Sequence, residues 1–150
     1  MKTTFSCFML AALLATACQN KPTQETTAAK PVHPDAPLRE TRWVPRELAG
    51  QAVVLTDSAR EPYLLLRAAG AAEGNGSCNR FRGNFFSEKP GELKFSPLMS
   101  TRMACPAIAT ENAFTQALAQ ANTYRISGDT LRLFDATNAP LARLEAVYLQ

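Results

Sequence analysis

An antiparallel β domain carrying a single helix is the fold class that three observations predict. From Leu38 onward, short apolar segments recur about 8–12 residues apart. Glycine- and proline-containing turns fall between them. One stretch alone changes its apolar period from two to three-and-four.

The strands follow in chain order. Arg42–Leu48 and Gln51–Leu55 flank a turn at Gly50, and Pro45, which lacks an N–H for the ladder, places the first of them at an edge or a bulge. Tyr63–Arg67 and Ser77–Phe86 come next. Lys89-Pro90-Gly91-Glu92 turns into Glu92–Ser96. Thr123–Ser127 and Thr130–Phe134 flank Gly128-Asp129, a hairpin signal, and Asn138-Ala139-Pro140 starts the return along Leu141–Leu149. Between these groups, Pro106–Ala121 reads as the helix. Ala109, Ala113, Phe114, Ala117, Leu118 and Ala121 form one apolar face, Pro106 suits a first turn, and Thr110 with Glu111 suits the positive end of the helix dipole.

The chain of 150 residues does not devote its whole length to this fold. Residues 1–17 read as a signal peptide: Lys2 in a short leading region, an apolar run from Phe5 to Leu14, then Ala15-Thr16-Ala17. That run is too short to span a bilayer, which takes roughly 20 apolar residues. Small residues ending at Cys18 resemble the bacterial lipobox, with Ala15 where leucine is usual and Leu14 one place earlier. The alternative is an ordinary signal peptide beside an incidental thiol. Residues 18–37 carry Pro22, Pro31, Pro34 and Pro37 and almost no large apolar side chain, so they read as a lipidated cysteine on a flexible leash. Gln19 beside the cysteine resembles outer-membrane lipoproteins. Residues 38–150 form the domain.

Discarding Cys7 with the signal and acylating Cys18 leaves Cys78 and Cys105. In an oxidising compartment a disulfide is the simplest pairing, and closing a 27-residue loop would stabilise the fold by roughly 3–4 kcal/mol. Two buried free thiols, or one nucleophilic cysteine, are the alternatives. A nucleophile needs a base, and the single histidine, His33, lies in the leash.

Charge points to few partners. Thirteen Lys+Arg face 11 Asp+Glu from Leu38 on, a surplus too small and too evenly spread for nucleic-acid binding. One histidine and cysteines without C-x-x-C spacing exclude the common metal sites. Gly74-Asn75-Gly76-Ser77-Cys78-Asn79 starts like a dinucleotide loop but ends in Asn outside any βαβ unit. No catalytic motif and no cofactor site emerges. Arg80, Arg82 and Arg102 form a basic cluster near the cysteines that could meet an anion.

Gly76-Ser77-Cys78-Asn79-Arg80-Phe81-Arg82-Gly83-Asn84-Phe85, then Leu93-Lys94-Phe95-Ser96 and Thr101-Arg102-Met103-Ala104-Cys105-Pro106, resemble the META domain family, which includes the HslJ-type heat-shock lipoproteins. Trp43, Leu48-Ala49-Gly50, Pro62-Tyr63-Leu64, Glu111 with Phe114 and Leu118, and the Tyr124–Leu133 hairpin extend the match from Arg42 to Leu149. Ser77 departs from it, since the family usually has Gly before the cysteine, and a positive φ there would be slightly strained.

The resemblance implies a compact, barrel-like antiparallel sheet with one packed helix, no defined enzymatic activity and a loose link to heat shock and envelope stress. The motif residues have a physical reading beside it. Asn79 holds a bulge through its own neighbouring backbone, Gly83 permits a kink, and Phe81 and Phe85 share one strand face. Thr101 and Met103 lie on the connector before Cys105. Taken together, the sequence is expected to encode a non-enzymatic binding or scaffolding module, tethered by lipid to the inner face of the outer membrane with its domain in the periplasm. The rival expectations are a carrier of a small apolar ligand inside the barrel, and an inhibitor of an envelope enzyme using a protruding loop such as Gly70–Gly76.

Overall fold

The computed structural model describes residues 34–55 and 60–148. Cys18, the signal region and His33 lie outside the described residues. Ten strands and one helix follow in order: β1 Arg42–Leu48, β2 Gln51–Ala52, β3 Tyr63–Leu66, β4 Ala71–Asn75, β5 Arg80–Phe86, β6 Lys94–Phe95, β7 Met99–Ser100, α1 Ile108–Gln120, β8 Thr123–Ser127, β9 Thr130–Phe134 and β10 Pro140–Val147. Every strand pairing is antiparallel, in the order β6-β5-β4-β3-β1-β10-β9-β8, with β2 beside β1 and β7 beside β5. The two ends of this sheet are drawn together: Leu93 N–H donates to Asn122 O (3.1 Å) and Tyr124 N–H to Gly91 O (2.8 Å), around a bridge between Glu92 and Thr123. The expected mainly β fold with one helix is the one observed.

Alternation along the strands decides what lies inside. Trp43, Leu64, Leu66, Phe81, Phe85, Leu131, Leu133 and Leu144 point inward and are buried. From α1, Phe114, Ala117 and Leu118 complete the core, while Ala109 of the expected apolar face is exposed. The Phe114 ring meets Phe81 edge-on, with centroids 5.9 Å apart and planes at 76°, an arrangement that the ring quadrupoles favour. Trp43 is wholly buried, and its indole N–H donates to Leu38 O at 3.0 Å.

Of the two places expected for Pro45, the structure shows the bulge: β1 is a central strand between β3 and β10, and its register with β10 shifts between Pro45 and Glu47. Several other elements differ from expectation for identifiable reasons. Gly70–Gly76 is no protruding loop, because Ala71–Asn75 forms β4 between β3 and β5. The strand read from Ser77 begins only at Arg80, and the Glu92–Ser96 strand shrinks to Lys94–Phe95. Pro106 precedes the helix, whose first residue is Ile108. Near the expected end of the leash, Asp35 and Ala36 are fastened to the β8–β9 turn: Ala36 N–H donates to Gly128 O (2.9 Å) and Gly128 N–H to the Asp35 carboxylate (2.7 Å).

Ion pairs stitch the outer side of the β1–β10 seam. Glu145 accepts from Arg46 Nε at 3.0 Å and from Arg143 Nη1 at 2.9 Å. The Arg46 hydrogen bond, and secondarily Arg143, hold the Glu145 carboxyl below its usual range. A depressed carboxyl stabilises the fold above its unfolded value of about 4.3 and loses that contribution as pH falls through the lower folded value. The pair is solvated, with Glu145 42% exposed, so screening limits its worth to about 0.5–1 kcal/mol. Urea unfolding of Glu145→Gln is therefore expected to show a deficit of that size at pH 7 that shrinks toward zero below pH 3. A deficit independent of pH would contradict the ion-pair account.

Candidate functional site

The motif residues converge where β4 turns into β5. Asn75 Oδ1 accepts the Ser77 N–H at 2.8 Å, and Gly76 N–H donates to Asn79 O at 2.8 Å. The corner they make forces Ser77 to φ 114°, a region that glycine enters without strain and a side chain does not. Its hydroxyl compensates in part by donating to Arg60 O at 2.9 Å. The Asn75–Ser77 contact is the short-range bond that Asn makes in turns, whereas the Ser77 hydroxyl reaches across 17 residues of sequence.

Into the concave side of this corner projects a carboxylate from α1. Glu111 is only 6% exposed, although sequence reasoning gave it no more than a favourable place near the helix dipole. Its Oε2 accepts the backbone N–H of Asn79 at 2.6 Å and of Cys78 at 3.1 Å, and its Oε1 accepts Asn79 Nδ2 at 2.8 Å. Every contact is a donor to oxygen, the set a carboxylate satisfies and a carboxamide does not. Gly76 makes the approach possible. A Cβ there would fall 2.5 Å from Glu111 Cγ and 2.9 Å from Oε2.

Asn79 is the second hub. It is 2% exposed, and its reach is much longer than the neighbouring-backbone role expected of it. Nδ2 also donates to Met103 O (3.0 Å), while Oδ1 accepts Met103 N–H (2.7 Å) and the Thr101 hydroxyl (2.8 Å). All four hydrogen-bonding positions of the amide are filled. Thr101 therefore contributes its side chain and Met103 its backbone, the Met103 side chain being 69% exposed. No buried side-chain nitrogen or oxygen among the described residues lacks a partner.

Cys78 and Cys105 come together at disulfide distance, their Cα atoms 5.8 Å apart. The pair staples the Thr101–Cys105 connector to the corner that Asn79 and Glu111 already hold. Phe81 faces the core. Gly83 does not kink β5, which pairs through it with β4; it gives room, since a Cβ would lie 2.8 Å from Leu98 Cδ2 and 3.0 Å from Ser96 Oγ.

Outside this network lies the accessible surface. Arg80 and Arg82 project from the outer face of β5 into an open cleft of about 470 Å³, shared with Glu73, Met99, Ser100 and Thr101. A second cleft of about 350 Å³ adjoins it at Arg80 and is lined by Arg42, Arg60, Glu61, Tyr63 and Asn75. Arg102 is exposed on the connector and lines neither cleft. Among the described residues no three His, Cys, Asp or Glu side chains come together as metal ligands.

Comparison with known proteins places this arrangement. The family model for the META domain matches residues 36–148. The NMR structure of a protein from Burkholderia xenovorans superposes with a TM-score of 0.57 at 24% identity, covering 86% of this chain and all of that one. A second NMR structure gives 0.56 at 24% identity, over 71% of this chain and 89% of the other. A DUF4847 family protein from Bacteroides vulgatus gives 0.50 at 16% identity, over 59% and 61%. A search of curated proteins returns no match. At these identities the likeness establishes the fold.

Two substitutions probe the corner. Glu111→Gln sets an amide N–H₂ against backbone or Asn79 donors, and is expected to cost about 2–3 kcal/mol in urea unfolding because one buried donor loses its acceptor. At Ser77, both Ala and Gly lose the hydroxyl contact, but only Ala keeps the unfavourable φ. Ser77→Gly should exceed Ser77→Ala in stability by about 1 kcal/mol. The reverse order would refute the strain at this position.

Proposed function

Because the chain belongs to the META domain family, we propose that it is an envelope lipoprotein whose domain is a non-catalytic binding or scaffolding module of the heat- or envelope-stress response. One observation carries the binding reading. The polar motif side chains are consumed internally, Asn79 by four hydrogen bonds and Glu111 by three, and the structure they support presents Arg80, Arg82 and Met99 outward. A catalytic centre needs a nucleophile or acid–base pair free to meet a substrate. Here the most elaborate polar assembly is turned inward and shapes a surface.

The rival readings find less support. A carrier needs an internal chamber, whereas Trp43, Leu64, Leu66, Phe114, Leu118, Leu131, Leu133 and Leu144 occupy the space between sheet and helix. An inhibitor inserting Gly70–Gly76 would have to unpair β4 from both neighbours. The tether rests on the small-residue run ending at Cys18 and on the proline-rich residues after it. A flexible leash would let an acylated cysteine hold the membrane while the domain samples partners at a distance.

Two experiments test this reading. Cells fed radioactive palmitate should label the wild-type chain and not Cys18→Ser; label on the variant, or none on the wild type, refutes the anchor. A photo-crosslinking residue at position 99 should capture a partner in living cells, and one at Ala136, in the β9–β10 turn, should not. Equal capture at both positions, or none at either, refutes the binding surface.

A further inference from the structure

The arginines of this domain divide into two groups. Arg42 pairs with Glu61, Arg46 with Glu61 and Glu145, Arg67 with Glu40 and Glu73, and Arg143 with Glu47 and Glu145. Arg39 and Arg125 lie over the rings of Phe85 and Phe134. Arg60, Arg80, Arg82, Arg102 and Arg132 make no side-chain ion pair, hydrogen bond or ring contact among the described residues. Three of these five, Arg60, Arg80 and Arg82, line the two clefts that adjoin at Arg80. The carboxylates in the same clefts are already engaged: Glu73 accepts from Arg67 at 2.6 Å, and Glu61 accepts from Arg42 at 3.4 Å and lies 3.7 Å from Arg46. Among the described residues the clefts thus keep three arginines without a carboxylate partner, whereas Arg42, Arg46, Arg67 and Arg143 are each paired.

From this placement we propose that the two clefts form one groove that takes an extended acidic peptide segment of a partner protein, its carboxylates received by Arg80, Arg82 and Arg60. The assignment rests on the binding-module reading above and names its ligand class. Spacing favours a peptide over an isolated anion. Arg80 and Arg82 share one face of β5 two residues apart, so their Cα atoms are separated by roughly 6.5–7 Å, the repeat of alternate side chains in an extended chain. Guanidinium groups match carboxylates in two-pronged geometry. Met99 stands opposite Arg82 in the ladder, is 69% exposed, and offers an apolar contact for the methylene groups of a glutamate received by Arg82. The backbone N–H groups of β4 and β5 beneath the groove are spent in the ladder, leaving no amide nest of the kind that cradles phosphate.

The test uses the full-length chain in non-ionic detergent and fluorescent ten-residue probes alternating Glu with Thr, Gln with Thr, or Lys with Thr. The Glu probe should bind, weaken with added salt, and exceed the Gln probe. Arg80→Gln with Arg82→Gln should weaken it by at least about tenfold, and Arg132→Gln, the loss of one charge on β9, should leave it unchanged. Reversal by Arg80→Glu with Arg82→Glu should move the preference to the Lys probe, a gain that misfolding does not produce. Absent binding, equal binding of Glu and Gln probes, an equal loss with Arg132→Gln, or stronger binding of inorganic pyrophosphate than of the Glu probe would each overturn the assignment. Capture from position 99 without binding of the Glu probe would overturn the acidic-peptide ligand alone and leave the binding-module reading in place.

Discussion

A buried carboxylate taking three hydrogen bonds from a turn is the constraint on which the rest of this structure depends. Glu111 reaches from the first turn of α1 to the backbone of Cys78 and Asn79 and to the Asn79 amide. Burying such a group is costly unless its acceptors are matched by donors. The match needs Gly76 to admit the side chain, a positive φ at Ser77 to aim the N–H groups, and Asn79 in one orientation. These are three separate demands on sequence, and all are met within four residues.

Asn79 passes the constraint onward. By bonding both the N–H and the carbonyl of Met103 and the hydroxyl of Thr101, it fixes the connector between β7 and α1, which also brings Cys105 to disulfide distance of Cys78. Helix, corner and connector become one unit, and β5 leaves it with its outward arginines in a defined place. Phe81 on the opposite face locks that strand against Phe114 of the same helix. The surface proposed to bind is therefore set by polar contacts on one side of β5 and aromatic contacts on the other.

Much of the fold was legible because its strands alternate cleanly. Tyr63–Leu66 and Thr130–Phe134 place Leu64, Leu66, Leu131 and Leu133 inward as the period of two requires. β4 escaped because Ala71-Ala72-Glu73-Gly74-Asn75 lacks β-branched and aromatic residues; its place between two strands comes from its neighbours, with Gly74 leaving space for the Phe81 ring. Pro45 signalled an edge or a bulge, and the bulge beside it is what lets a central strand tolerate it. In the site, the cysteine pairing was open to counting, but the hubs were not. A single Glu in a helix's first turn reads as a surface charge, and an Asn after a turn reads as a local cap. Their partners lie 22 to 33 residues away, beyond any local pattern. The available signal was Glu111 recurring beside Phe114 and Leu118 in the family resemblance, an acidic residue set among core positions.

Amide hydrogen exchange followed by NMR tests the anchoring role of Glu111 most directly. If the carboxylate holds the corner, the Asn79 and Met103 amides exchange as slowly as that of Leu144 in the core, opening only with the whole domain. In Glu111→Gln those two should then exchange far faster while Leu144 keeps its relative protection. Asn79 and Met103 amides that exchange in the wild type as readily as exposed turn positions such as Ala136 would contradict the account.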